Sequence, residues 1–164
     1  MLNSSLFIES ILQKWRFRKA LPFVKGRTLD FGGNKGELGK LIAGEYVVVN
    51  HDYHKIDNKK FESIVVLAVI EHIEPSQVKT IFEKLRLSLS EEGLIIITTP
   101  APKAKGLLEF LAFLHFIDKK NLDEHRHYWS KTDIYQLAKE SKLKIEKYDT
   151  FQFGFNQLAI FSPL

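Results

Sequence analysis

Glycines and acids able to hold a nucleotide stand close together early in the chain. Thr28-Leu29-Asp30-Phe31-Gly32-Gly33-Asn34-Lys35-Gly36 runs from an apolar stretch into a glycine-rich turn, and Val47-Val48-Val49-Asn50-His51-Asp52 is a second apolar stretch ending in an acid. Glycine lets the backbone approach a ligand without a Cβ in the way, and an incipient helix after the turn would offer free N–H groups. Asp52, about 20 residues beyond the first glycine, is placed to accept hydrogen bonds from a ribose diol. Two further clusters could move protons or orient a reactant. Glu71-His72 follows a third apolar run, and His125-Arg126-His127-Tyr128-Trp129 lies well downstream. Imidazole exchanges a proton near neutral pH, so His72 reads as a general base or a substrate-orienting group, with Glu71 near a cofactor or the substrate. The alternative is that this pair only caps the next segment or lines a pocket. His125, His127 and Tyr128 could orient a reactant, and His127 could exchange a proton with it, against the alternative of a surface loop holding two histidines by chance. His51 and His54 flank Asp52 and border an adenosine pocket in the same reading.

The spacing narrows the ligand. Asp-x-Gly-Gly-x-x-Gly departs from the G-x-G-x-x-G pattern that cradles a pyrophosphate. An acid two residues before the first glycine would repel a pyrophosphate and suits an ammonium group. S-adenosylmethionine carries one, together with a sulfonium.

From Arg27 to Phe161 the chain resembles the class I S-adenosylmethionine-dependent methyltransferases, and within them the small-molecule methyltransferase domains. Their first motif usually reads hydrophobic-D-x-G-x-G-x-G, and Leu29 to Gly36 is similar to it. The resemblance implies that Asp30, Gly32, Gly33, Asn34 and Gly36 bind the cofactor and that Asp52 binds its ribose. Phe61 to His72 resembles the fourth-strand segment that commonly ends in Glu-His, which implies Leu67 and Glu71 beside the cofactor. Glu92 to Pro100 resembles the fifth strand. Two features depart from the pattern. Asn34 stands at the usual middle glycine, where asparagine's ease in left-handed conformations would help. The stretch from Tyr53 to Glu62 is too short for the helix and third strand that family members place there, so an abbreviated sheet is expected, with Asp57 mapped to the acid that faces adenine. The activity implied is methyl transfer to a small-molecule acceptor, with His125, His127 and Tyr128 on the acceptor's side and a glycan or lipid pathway as one setting. One alternative is a catalytically silent cofactor-binding or partner-binding domain. Another is a metal-dependent RNA 2′-O-methyltransferase, whose motif carries a second Glu three residues before the Glu of Glu-His. Ala68 stands there, one carboxylate ligand is missing, and no metal site is expected.

The elements that must position these residues follow from periodicity. The chain has 164 residues, 45% of them hydrophobic, which suits a single domain over 1–164. It has no cysteine, which excludes disulfides and thiolate metal sites, and no basic leader with an apolar run, so a cytoplasmic setting is expected. A net charge of +4 spread among acids gives no stripe for nucleic acid. Helices are expected over 6–19, with Leu6, Phe7, Ile11, Leu12 and Trp15 inward, over 75–89 behind Pro75, and over 130–139 behind a Ser130/Asp133 capping signal. Strands are expected at 28–31, 46–50, 63–68, 93–99, 143–151 and 155–161. Together they predict an α/β, Rossmann-like, mostly parallel sheet with helices on both faces and a closing antiparallel strand, a hairpin turning about Gly154. Residues 101–129 read as a cap-like insertion. Its greasy part, 105–117, is too short to span a bilayer, and its default place is against its own domain; a homodimer face or a membrane surface is the alternative.

Overall fold

The computed structural model describes residues 2–50, 52–56, 60–113 and 126–164. Six strands form one sheet: β1 (Thr28–Phe31), β2 (Tyr46–Val49), β3 (Phe61–Leu67), β4 (Leu89–Pro100), β5 (Leu143–Phe151) and β6 (Asn156–Pro163), in the order β2-β1-β3-β4-β6-β5. The pairs β1–β2, β1–β3 and β3–β4 are parallel, and β6 runs antiparallel to both β4 and β5. Strand order reverses at β1, with β2 on one side and β3 on the other. Loops leaving β1 and β3 therefore diverge and open a crevice at their carboxyl ends.

The central strands are buried on both sides and read as continuous apolar runs, as parallel strands do. One face packs Leu29, Phe31, Ile64, Val66, Ile95 and Ile97 against α2 (Pro75–Leu87) and α4 (Lys131–Glu140). Pro75 occupies the start of α2, where its missing N–H costs nothing, and Val78, Ile81, Phe82 and Leu85 form the buried stripe. α4 opens on a capping box: Ser130 Oγ accepts from the Asp133 amide at 3.2 Å, and Asp133 Oδ2 accepts from the Ser130 amide at 2.7 Å. The other face packs Val65, Ile96, Leu158 and Ile160 against Ala20, with Phe17, of α1 (Leu2–Ala20) and against Leu38. Helices on both faces and one antiparallel strand are as the sequence predicts.

Two local expectations change. No α-helix follows the glycine turn; a five-residue 3-10 helix, Glu37–Leu41, stands there, so the argument from a helix N-terminus lapses. On α1, Ile11 and Trp15 face outward, because the apolar residues are spread around that helix. Trp15 meets the Phe153 ring edge-on at 6.5 Å while both stay exposed. The greasy segment begins as α3 (Ala104–Phe113), and the rest of 105–117 lies outside the described residues. The short connection after β2 holds one 3-10 turn, Tyr53–Lys55, and no strand among its described residues, so the sheet is abbreviated where the length required it. The β5–β6 turn carries three successive left-handed residues, Gln152, Phe153 and Gly154.

Phe82 is fully buried and its ring meets that of Phe161 edge-on at 6.0 Å. Phe82→Ala is expected to cost about 3–5 kcal/mol, through lost transfer energy and the cavity left behind. Urea unfolding followed by far-UV circular dichroism checks this; a loss below about 1 kcal/mol would mean the α2 face is not the core.

Candidate active site at the carboxyl ends of β1 and β3

Asp30 sits in register with Val48 of β2 and Val65 of β3. Its carboxylate is buried and accepts a hydrogen bond from the Tyr46 hydroxyl. Burial lifts the Asp30 carboxyl to about 6, against the lowering effect of that bond, and also pushes the Tyr46 hydroxyl upward, with the neighbouring carboxylate adding to it. The glycine turn closes over this acid. A Cβ on Gly33 would fall on the Asp30 carboxylate, and one on Gly32 would lie 2.5 Å from Val69 Cγ2. The Gly36 amide donates back to the Gly33 carbonyl at 2.9 Å. Asn34 adopts a left-handed φ of 49°, as its residue type permits.

The turn is held by a residue that periodicity does not single out. Asn50, just past β2, accepts from the Asn34 amide at 2.9 Å and donates to the Asn34 carbonyl at 3.1 Å. Its side-chain amide thus copies a backbone pairing. The Gly32 amide is taken by the Val49 carbonyl at 2.9 Å, which leaves the Gly33 and Lys35 amides without a protein partner among the described residues. The readable signal was an asparagine at a strand end, opposite a glycine turn.

Asp52 follows in the same loop. One carboxylate oxygen accepts from the His54 amide at 3.1 Å and the other lies 3.6 Å from Lys55 Nζ, with the side chain 42% exposed. These are exposed, exchangeable partners.

Past β3 the chain is strained and then folds inward. Leu67 is half-buried at the strand end, opposite Thr98, and Ala68 takes a left-handed φ of 56°. In the next turn Glu71 is 1% exposed. Its Oε2 accepts from Thr99 Oγ1 at 3.0 Å, and its carbonyl accepts from the amides of Arg126, at 2.7 Å, and His127, at 3.3 Å. Burial raises the Glu71 carboxyl to about 7, partly offset by hydrogen bonds and by the Arg16 charge. Arg16 comes from α1, and nothing in the sequence pattern set it apart from its neighbours. Tyr128 is half-buried within reach of the Glu71 and Glu109 charges; burial first, then those charges, push its hydroxyl upward.

The structure thus gathers Asp30, Gly32, Gly33, Asn34 and Gly36 at β1, Asp52 beyond β2, and Leu67, Glu71, His72 and Tyr128 around the end of β3. His72 is half-buried, its amide bonded to the Val69 carbonyl at 3.0 Å. His127 brings its backbone to Glu71 but turns its ring elsewhere: Nε2 lies 3.4 Å from Asp133 Oδ2, and the ring meets Trp129 edge-on at 5.0 Å. It lines a cavity of about 230 Å³ with Pro75, Lys79 and Asp133, between α2 and α4. His51, Asp57 and His125 lie outside the described residues. Among the described residues no three ligating side chains cluster as a metal site, and no helix is long and apolar enough to cross a membrane.

Comparison with known proteins gives this arrangement a class. The profile of a methyltransferase domain family matches residues 7–148, and the chain belongs to that family. No match was found among curated proteins. Among solved structures, a SAM-dependent methyltransferase from Archaeoglobus fulgidus is 15% identical with a TM-score of 0.69, the match covering 93% of this chain and 93% of that one. The O-methyltransferase NcsB1 of neocarzinostatin biosynthesis, solved with S-adenosyl-L-homocysteine and 1,4-dihydroxy-2-naphthoic acid, is 14% identical with a TM-score of 0.62, covering 85% of this chain and 49% of that one. LepI, solved with SAM, is 13% identical with a TM-score of 0.60, covering 86% and 43%. The chain therefore spans about half the length, or less, of the longer proteins it resembles.

The buried acids set a pH dependence. Asp30 is raised from 3.8 to about 6 and Glu71 from 4.5 to about 7, so the unfolded chain ionises before the folded one. Their stabilising effect is full below the lower value of each pair and is lost as pH rises to the upper one. The thermal midpoint of the ligand-free protein is expected to fall by several degrees between about pH 4 and 7. Glu71→Gln should flatten most of that slope, and an unchanged slope in the variant would show that Glu71 is not buried as an acid.

Proposed function

We propose that this chain transfers the sulfonium methyl group of S-adenosylmethionine to a small-molecule acceptor. The observation that carries the reading is the glycine turn closed over buried Asp30 at the point where strand order reverses. That turn is a cradle that a Cβ would fill, and it presents unpartnered Gly33 and Lys35 amides. Family membership and the S-adenosyl ligands of NcsB1 and LepI support it. When bound, S-adenosylmethionine supplies an electrophilic methyl group. The chain's own residues then bind and orient. Asp30 faces the ammonium end, the free amides of the turn take polar atoms of the same end, and Asp52 exchanges His54 and Lys55 for the ribose hydroxyls.

Leu67 and Glu71 border the donor, and Tyr128 bounds the acceptor's side. His72 accepts or orients the acceptor's proton, and the near-neutral Glu71 carboxyl is a second proton holder beside it. The 126–129 strap, bonded to Glu71 through backbone amides, and α3 form the acceptor's cover. In this reading His127 fixes the strap from its Asp133 side. Positioning of the two reactants, with water excluded beneath α3, supplies the acceleration. A glycan or lipid pathway remains the proposed setting, the apolar content of α3 suiting an acceptor of partly apolar body. One observation favours a second reading, a silent partner-binding domain: Tyr46 already occupies an Asp30 oxygen.

Calorimetry separates the two. The protein should bind S-adenosylhomocysteine, and Asp52→Ala should weaken that binding about tenfold or more, through loss of charge-assisted bonds. Absence of binding would favour the silent domain, and unchanged affinity in Asp52→Ala would remove the ribose assignment. Methyl transfer, assayed with isotope-labelled donor, should survive EDTA; activity restored only by Mg²⁺ would revive the RNA-modifying alternative.

A further inference from the structure

Ile11, Lys14, Trp15 and Arg18 recur at helical spacing and stand exposed on one side of α1. They line a groove of about 470 Å³ in which no acid takes part among the described residues. Phe153 continues this face from the β5–β6 turn. It is 89% exposed, in a left-handed φ of 57° that suits glycine or asparagine far better than an aromatic residue. Two bonds fix the tip: Gln152 Nε2 donates to the Leu12 carbonyl of α1 at 3.3 Å, and Lys103 Nζ, just before α3, donates to the Phe153 carbonyl at 3.2 Å. A large ring held out in water on a strained turn gains only an edge contact with Trp15 from its own chain. An apolar patch kept at such a cost is a surface for something else.

Charge indicates what covers it. Lys14, Arg18 and Lys103 are exposed around the apolar residues, and Lys14 and Arg18 form no ion pair among the described residues. Acids close by are turned away or engaged. Glu9 falls on the opposite side of the helix and is half-buried, Glu37 accepts from Gln13 Nε2 at 2.7 Å, and Asp149 lies 3.5 Å from Lys19 Nζ. Apolar anchors within a cationic rim match a surface that is anionic outside and apolar within. We propose that Ile11, Trp15 and Phe153, ringed by Lys14, Arg18 and Lys103, dock this chain on an anionic lipid bilayer, the rings entering the headgroup layer and the cations meeting lipid phosphates. A second copy of the chain fits less well, because a two-fold contact would set the same cations face to face. Single-stranded nucleic acid stacks its bases on aromatic platforms, and rings inclined at 80° give successive bases no common one. The face lies at the edge where β4 ends opposite the start of β6, Pro100 beside Asn156, so docking turns the carboxyl-end edge of the sheet toward lipid. It requires neither donor nor acceptor and so stands apart from the methyl-transfer reading.

Co-sedimentation with vesicles tests this, one set of phosphatidylcholine alone and one with about 30% phosphatidylglycerol. The protein should bind the anionic vesicles about tenfold or more tighter than the neutral ones. Brominated lipid should quench the fluorescence of wild type and not that of Trp15→Phe, whose remaining Trp129 is buried. Phe153→Asn suits the left-handed turn, so its thermal midpoint should be no lower than that of wild type, while its vesicle affinity should fall about tenfold or more with the lost anchor. Lys14→Gln and Arg18→Gln should each weaken binding to the anionic vesicles roughly fivefold and leave the neutral ones unaffected. No vesicle binding, equal binding to the two sets, or full binding by Phe153→Asn overturns the proposal. Displacement from vesicles by oligothymidylate, with Phe153→Asn displaced no more easily, assigns the cations to a polyanion and overturns it too. Concentration-dependent dimerisation in sedimentation velocity, lost in Phe153→Asn, gives the face to a second copy and has the same effect.

Discussion

At the turn after β3 a single residue supplies acceptors to two separate parts of the chain and its charge acts on a third. The carboxylate of Glu71 takes the Thr99 hydroxyl from the end of β4, its carbonyl takes the amides of Arg126 and His127, and its charge meets that of Arg16 on α1. A carboxylate this deep loses its hydration, and hydrogen bonds and a distant cation only partly restore the loss. Its near-neutral titration is the measurable trace of that deficit. Apolar residues would close the same turn at lower cost, so the acid at this point is an argument for chemistry at the strand ends.

The other elements at the crevice can be understood as supports for that turn. Trp129 donates to the Ile70 carbonyl at 3.2 Å, and Gln157 of β6 donates to the carbonyls of Trp129, at 2.7 Å, and Pro100, at 3.3 Å. The antiparallel strand thus does more than close the sheet: it ties the 126–130 strap to β4 just where Thr99 meets Glu71. On the near side, Val69 fills the space that Gly32 leaves open. The β1 turn and the β3 turn therefore meet, and a side chain added at Gly32 would press on Val69.

Sequence periodicity located the sheet because its central strands are apolar throughout and its turns carry glycine, asparagine or proline. The same signal failed on α1, whose apolar residues wrap the helix; Trp15 and Ile11 look like core residues in a linear reading and stand outside it. Spacing singles out Asp30, the glycines, Asp52 and Glu71 as candidates, since each belongs to a local pattern at a strand end. Asn50, Tyr46, Thr99 and Arg16 were not legible. Their roles come from pairings across 16 residues, for Asn50 with Asn34 and Tyr46 with Asp30, and 28 for Thr99 with Glu71, which no local window contains. His127 shows the converse: its place beside a polar strap was readable, but ring direction depends on Asp133 and Trp129, and the local pattern is silent on that.

Tyr46 explains how the crevice persists without a full helix after the glycine turn. A 3-10 helix of five residues covers little surface, and Asp30 beneath it would be exposed. Tyr46 lies on the same side of the sheet as Asp30, two positions before Val48, and its ring reaches over the gap so that its hydroxyl bonds the carboxylate. The ring can lie there because Gly39 is a glycine; a Cβ would come within 2.6 Å of it. The phenol therefore substitutes for the missing turns of helix and keeps Asp30 dry. Burial lifts that carboxyl to about 6 against the lowering effect of the Tyr46 bond, and a cation arriving at the turn would favour its ionised form.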